Sequence, residues 1–117
     1  MYEFQLTNRL NVELQNICSK YCLSRIRRIL IRVGGMRKIN PELITFIFAA
    51  ISRGTPAEGA LLSVMIVPPA FRCNACSRTW TTPEEAEFVC PYCRSRDVDL
   101  LSGLDLAIDF LEVECEL

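Results

Sequence analysis

Histidine is absent from this chain of 117 residues. That excludes Ser-His-Asp and Cys-His catalysis, a three-histidine catalytic zinc and an imidazole pH switch. Long apolar runs are also missing. The longest, Ala60 to Phe71, is broken by Ser63, Pro68 and Pro69, and falls short of the ~20 residues that span a bilayer. The first ten residues, MYEFQLTNRL, hold Glu3 and no continuous apolar core. No signal peptide or membrane segment is expected, and the expected compartment is the cytoplasm.

Net charge is nearly absent too, at −1, but it is unevenly spread. Residues 1–70 carry 9 Lys/Arg against 4 Glu, whereas residues 71–117 carry 4 Arg against 10 Asp/Glu. An acidic second part argues against phosphate binding, so no nucleic-acid partner is expected. Hydrophobic residues make up 50% and charged residues 23%, which indicates a globular chain.

The abundant residue is cysteine, with 7. Cys73-Asn74-Ala75-Cys76 and Cys90-Pro91-Tyr92-Cys93 are two CxxC pairs with thirteen residues between them. A two-residue gap lets both thiolates of a pair turn toward one ion. Two such knuckles supply the four tetrahedral ligands of structural Zn²⁺. A redox CxxC instead opens a helix after a strand and comes singly. Cys73, Cys76, Cys90 and Cys93 are therefore the expected zinc ligands, in a closed site that is structural and not catalytic. Zinc knuckles favour Gly after the second Cys. Ser77 and Arg94 stand there instead, so each is expected to take an uncomfortable backbone. Arg72, Arg78, Arg94 and Arg96 flank the pairs and either offset the thiolate charge or solubilise the lobe. Trp80 is expected to pack over the hairpin beneath the metal. Cys18, Cys22 and Cys115 read as small buried side chains.

Periodicity supplies the frame around this insert. Leu6, Leu10, Leu14, Ile17 and Tyr21 recur at helical spacing. Residues 25–33 alternate, with Ile29, Ile31 and Val33 on one face, and end at Gly34-Gly35. Arg25, Arg27, Arg28 and Arg32 on that strand are either a partner surface or a solvated edge. Asn40-Pro41-Glu42 is a helix start, followed by Leu43, Ile44, Ile47, Phe48 and Ile51 and stopped by Gly54 and Pro56. Residues 60–67 read as a buried strand. Residues 104–115 alternate with Leu104, Leu106, Ile108 and Phe110 on one face, then switch parity near Phe110. The expected fold is α/β: a small three-stranded sheet packed on two helices, with an inserted four-Cys zinc-ribbon-like lobe. The expected domains are 1–69 plus 101–117, and 70–100.

The whole order resembles the hydrogenase and urease nickel-incorporation metallochaperones, the HypA/HybF family. The resemblance is carried by the Met-x-Glu start and amphipathic helix, and by the basic strand ending Val33-Gly34. Pro41-Glu42-Leu43 with Phe46 and Phe48, and Gly54-Thr55 with Glu58-Gly59-Ala60, continue it. The two CxxC pairs and Ser102-Gly103-Leu104-Asp105-Leu106 complete it. It implies a nickel-binding α/β domain with an inserted zinc domain, acting without catalysis. It also implies work with a nickel GTPase and other maturation proteins to load [NiFe]-hydrogenase or urease. The family binds nickel at the N-terminus, through the terminal amine, the next amides and a second-position His. The matching candidates are Met1, Tyr2 and Glu3. Tyr2 replaces the His, and Gly35 and Asn40 stand where the family favours acids. The resemblance thus implies a nickel site weakened or lost. The alternative is a nickel-free scaffold or adaptor acting through protein contacts.

Overall fold

The computed structural model describes residues 2–36, 38–82, 88–103 and 105–115. Its elements run α1 (Tyr2–Tyr21), β1 (Leu23–Gly34), α2 (Pro41–Ile51), β2 (Leu61–Val67), β3 (Ala70–Cys73), β4 (Thr79–Thr81), β5 (Val98–Ser102) and β6 (Leu106–Cys115). The chain divides into two compact units. One comprises Met1–Ile31, Ile39–Met65 and Leu106–Leu117; the other comprises Arg32–Lys38 and Ile66–Asp105.

In the first unit, α1 buries Leu6, Leu10 and Leu14 almost completely. Each such side chain removed from water contributes about 1.5–3 kcal/mol. The buried face ends at Cys18, not Tyr21, which is 60% exposed. The helix stops there, and Cys22 turns the chain at φ 53° into β1. Thr7, also buried, satisfies its hydroxyl by donating to the Glu3 carbonyl at 2.6 Å.

Helix α2 packs on α1 and starts as its sequence dictates. The Asn40 side chain accepts from the N–H groups of Glu42 at 3.0 Å and Leu43 at 3.3 Å. Pro41 occupies the first turn, where a missing N–H costs nothing. Ile44 and Phe48 are its buried side chains. Phe46 is 75% exposed, because it lies on the opposite face of the helix.

The first sheet has the order β2-β1-β6. The Ile26 N–H donates to Pro56 O before β2, and the Gly35 N–H donates to Val67 O at its end, so β1 and β2 run in the same direction. At the other edge, the Gly34 N–H bonds to Asp105 O and the Ser24 hydroxyl to Glu114 O, so β6 runs against β1. On central β1, Ile26, Ile29, Ile31 and Val33 are buried. Arg27 and Arg28 pair with Glu114 and Glu112 of β6. Those two arginines are therefore partly committed within the sheet.

Two strand readings need correction. β2 is an edge strand, not a buried one, with Leu61 and Met65 at least half exposed. Only Leu62, Val64 and Val67 of its apolar residues are half-buried. On β6, Leu106 is buried and Ile108 half-buried, but Phe110 is 49% exposed and Leu111 and Val113 take over the half-buried side. The parity switch falls where the alternation placed it, but one residue earlier for Phe110. Leu104 lies outside the described residues.

The second unit holds the antiparallel sheet β4-β3-β5. Phe71 pairs with Trp80 on β4 and Leu100 on β5. Phe71 is 1% exposed, stacked on Trp80 at 5.7 Å and met edge-on by Phe88 at 5.4 Å. This aromatic group is the lobe's core. The end of β1 joins the same unit: the Gly34, Gly35 and Met36 N–H groups bond to Asp105, Val67 and Gly103 at 2.8–2.9 Å. A Cβ on Gly34 would lie 2.0 Å from the Gly103 carbonyl carbon, so only glycine fits. No helix among the described residues is long and apolar enough to cross a membrane.

Candidate metal centre

Strand β3 delivers Cys73 at its end, and a tight turn brings Cys76 back before β4. A second turn of the same design carries Cys90 and Cys93. In the first, the Ser77 N–H bonds to Cys73 O and the Cys73 N–H to Arg78 O, both at 2.9 Å. In the second, the Arg94 N–H bonds to Cys90 O and the Cys90 N–H to Ser95 O, again at 2.9 Å. Ser77 and Arg94 have φ of 63° and 66°. Both positions thus occupy the left-handed region expected from their place after the second Cys. Each non-glycine residue there costs roughly 1–2 kcal/mol. The turns keep that geometry because the paired cysteines fix their ends.

The four Sγ atoms lie within 4.8 Å of one another. Cys73 and Cys93 sulfurs are 3.6 Å apart, and Cys76 and Cys90 sulfurs 3.7 Å. Sulfurs at ~2.3 Å from a tetrahedral Zn²⁺ sit about 3.8 Å from each other. The donor set and its spacing therefore fit zinc. No cysteine is in a disulfide. Cys73 and Cys90 are fully buried, Cys76 is half-buried and Cys93 is exposed. The group thus has two anchoring and two outer thiols.

Main-chain N–H groups serve two of the sulfurs. The Cys76 N–H points to Cys73 Sγ at 3.5 Å and the Tyr92 N–H to Cys90 Sγ at 3.4 Å. Burial opposes the Cys90 thiolate, but the N–H groups of Cys93 and Tyr92 and the neighbouring thiols outweigh it, bringing its pKa to about 7. For Cys93, an N–H bond involving Ser95 favours the thiolate. Burial and protons shared with Cys73, Cys90 and Cys76 override it, and the value is pushed up to about 12. A divalent ion would displace these protons as it bound. Arg78 instead lies 4.8 Å over the Tyr92 ring, and Tyr92 meets Trp80 edge-on at 6.5 Å. Trp80 also stacks on Phe71 at 5.7 Å.

The other cysteines divide. Cys18 is buried, and burial raises its thiol pKa. Cys22 and Cys115 are exposed, which corrects their reading as buried side chains. They sit at the end of α1 and the end of edge strand β6. Among the described residues, no second cluster of three or more His, Cys, Asp or Glu side chains could hold an ion.

At the N-terminal end, Met1 lies outside the described residues. Tyr2 opens α1 and is half-buried. The first N–H groups of a helix have no acceptor within it, so helix formation does not consume the Tyr2 and Glu3 amides. The Glu3 carboxylate accepts the Asn40 N–H at 3.2 Å, joining the starts of α1 and α2. Sequence reasoning named both residues but missed this contact. It missed Ser95 and Asp97 as well; their only signal was the polar Ser95-Arg96-Asp97 run after the second pair.

Fold and site together define a small α/β protein bearing a four-cysteine lobe whose sulfurs could hold a metal ion. Residues 1–113 match the model of a family described as hydrogenase/urease nickel incorporation, metallochaperone, hypA. A hydrogenase maturation factor HypA from Methylocella silvestris is 36% identical over 115 residues, covering 97% of this chain and 100% of the relative. One from Desulfitobacterium hafniense is 27% identical over 114 residues, covering 97% and 99%. The chain belongs to the HypA family of hydrogenase/urease nickel-incorporation metallochaperones. Its fold is similar to the solution structure of the Ni metallochaperone HypA from Helicobacter pylori, with a TM-score of 0.73 at 19% identity, covering 97% of this chain and 98% of that one.

Proposed function

We propose that this chain is a non-enzymatic maturation factor that delivers nickel to [NiFe]-hydrogenase, or to urease, in the cytoplasm. The observation that carries this reading is the family match over residues 1–113. The partners are a nickel GTPase and other maturation proteins. Residues 70–100 form the zinc-binding domain, inserted in a nickel-binding-type domain of 1–69 plus 101–117. Cys73, Cys76, Cys90 and Cys93 hold a structural zinc, which organises the lobe and takes no part in turnover.

Nickel is the cargo, and its candidate ligands are the Met1 amine, the Tyr2 and Glu3 amides and a fourth donor. Ni²⁺ favours a nearly planar nitrogen-rich site. A phenol oxygen is a poor substitute for an imidazole nitrogen in such a site, so Tyr2 weakens it. The Glu3 carboxylate, the other nearby donor, is engaged by the Asn40 N–H at 3.2 Å. These two features favour the second reading, a scaffold that retains protein contacts without carrying nickel.

Titrating Ni²⁺ into the zinc-loaded chain at neutral pH separates the two. We expect one zinc per chain and weak nickel binding. Tyr2→His should restore a square-planar absorption band and tighten nickel at least tenfold. Tight stoichiometric nickel in the unaltered chain would overturn the weakened site, and no gain in Tyr2→His would mean that Tyr2 is not its cause.

A further inference from the structure

The two cysteine turns are tied to each other by protein atoms, apart from any shared ion. Asn74, the second residue of the first pair, makes two hydrogen bonds to Asp97. Its N–H donates to Asp97 O at 2.9 Å, and its side-chain Nδ2 to Asp97 Oδ1 at 3.1 Å. Asp97 is anchored in turn to the second pair. Its N–H donates to Ser95 Oγ at 3.1 Å, and the Cys90 N–H donates to Ser95 O at 2.9 Å. Hydrogen bonds therefore run from Asn74 through Asp97 and Ser95 to Cys90. The residue equivalent to Asn74 in the second pair is Pro91. Proline has no N–H and a fixed φ. The second turn is thus preset by its own ring, whereas the first is held from outside.

We propose that Asp97 is a positioning residue for the metal centre, latching the first cysteine turn to the second so that a bound ion leaves slowly. The proposal rests on reading the four cysteines as zinc ligands. Asp97 touches none of the sulfurs and acts through Asn74. For an ion to leave, one pair of thiols must swing away from the other, and the latch must open first. Two bonds on one residue fix both the place and the tilt of the first turn. The Asp97 carbonyl bond survives any side-chain change, so the Oδ1 bond is the part that mutation can remove.

The test uses the full-length zinc-loaded chain and follows zinc transfer to a chromophoric chelator. Asp97→Ala and Asn74→Ala should each speed release about tenfold, the lower end for lost supporting bonds around metal ligands. Asp97→Asn keeps an oxygen for Asn74 and should release at the native rate. The Asn74→Ala/Asp97→Ala double variant should release no faster than either single one. Cobalt substitution should give the same thiolate-to-metal charge-transfer band in every variant, since no ligand changes. Native release from Asp97→Ala would overturn the latch. So would Asp97→Asn as fast as Asp97→Ala, because charge would then be the cause, or an altered cobalt spectrum. A native chain that binds no zinc would overturn the four-cysteine reading and the latch with it. One zinc per chain with unchanged release would overturn the latch alone.

Discussion

Asn11 is a polar residue in an apolar place. It is 9% exposed on the buried side of α1, and its Oδ1 has no hydrogen-bond partner among the described residues. An unsatisfied buried carbonyl costs about 1–3 kcal/mol. Leucine has nearly the same shape and needs no partner. Asn11→Leu should therefore raise stability by roughly 1 kcal/mol in denaturant titration; a lower stability would mean that a bound water satisfies the oxygen. Cys18, also on α1, sets a pH limit. Burial raises its pKa in the folded chain above the unfolded thiol value of ~8.5. Its contribution is fully present below that value and is lost as pH rises toward the folded pKa, because only the unfolded thiol then ionises. Replacing Cys18 by Ala should flatten the loss of stability as pH rises above the ordinary thiol range, measured as the difference between variant and native melting curves. An unchanged slope would assign that loss to other thiols.

At the scale of elements, local chemistry made some boundaries readable. Asn40, Pro41 and Glu42 announce the start of α2, and the side-chain bonds from Asn40 to two N–H groups are there. Asn40→Ala should cost about 1 kcal/mol, read as a lower melting temperature. An unchanged melt would mean that the Glu3 carboxylate already steadies this end through the Asn40 N–H. The spacing of the cysteines made the clustering of four thiols legible for the same reason: ligand geometry is a local demand. What stayed hidden depended on neighbours. β2 looks buried because its residues are branched and apolar, yet it lies at the sheet edge, and no residue within it encodes that place. Ser77 and Arg94 were readable as strained, because the turn around paired cysteines sets their φ. Asp97 was not, because its role exists only once the two turns meet.

Across the whole molecule, the two units draw on different sources of stability. The first unit buries Leu6, Leu10, Leu14, Ile26, Ile29, Ile31 and Ile44, a core of aliphatic side chains. The second has few such residues. Its buried side chains among the described residues are Val33, Met36, Pro69, Phe71, Cys73 and Cys90, and very small domains usually need a metal or disulfides to hold together. No disulfide is present. Were these four thiolates to hold zinc, its binding energy, on the order of 10 kcal/mol, would be folding energy for this lobe. Trp80 is the chain's single tryptophan, and it stacks on Phe71 in that unit. It is a clean reporter. Removing zinc with a chelator, or replacing Cys73 by Ser, should shift Trp80 emission to the red as the stack opens. The far-ultraviolet helical signal, which comes from α1 and α2, should persist. Restoring zinc to the chelated chain should reverse the shift, whereas Cys73→Ser should not recover. Loss of the helical signal together with the emission shift would mean that the first unit also depends on the metal.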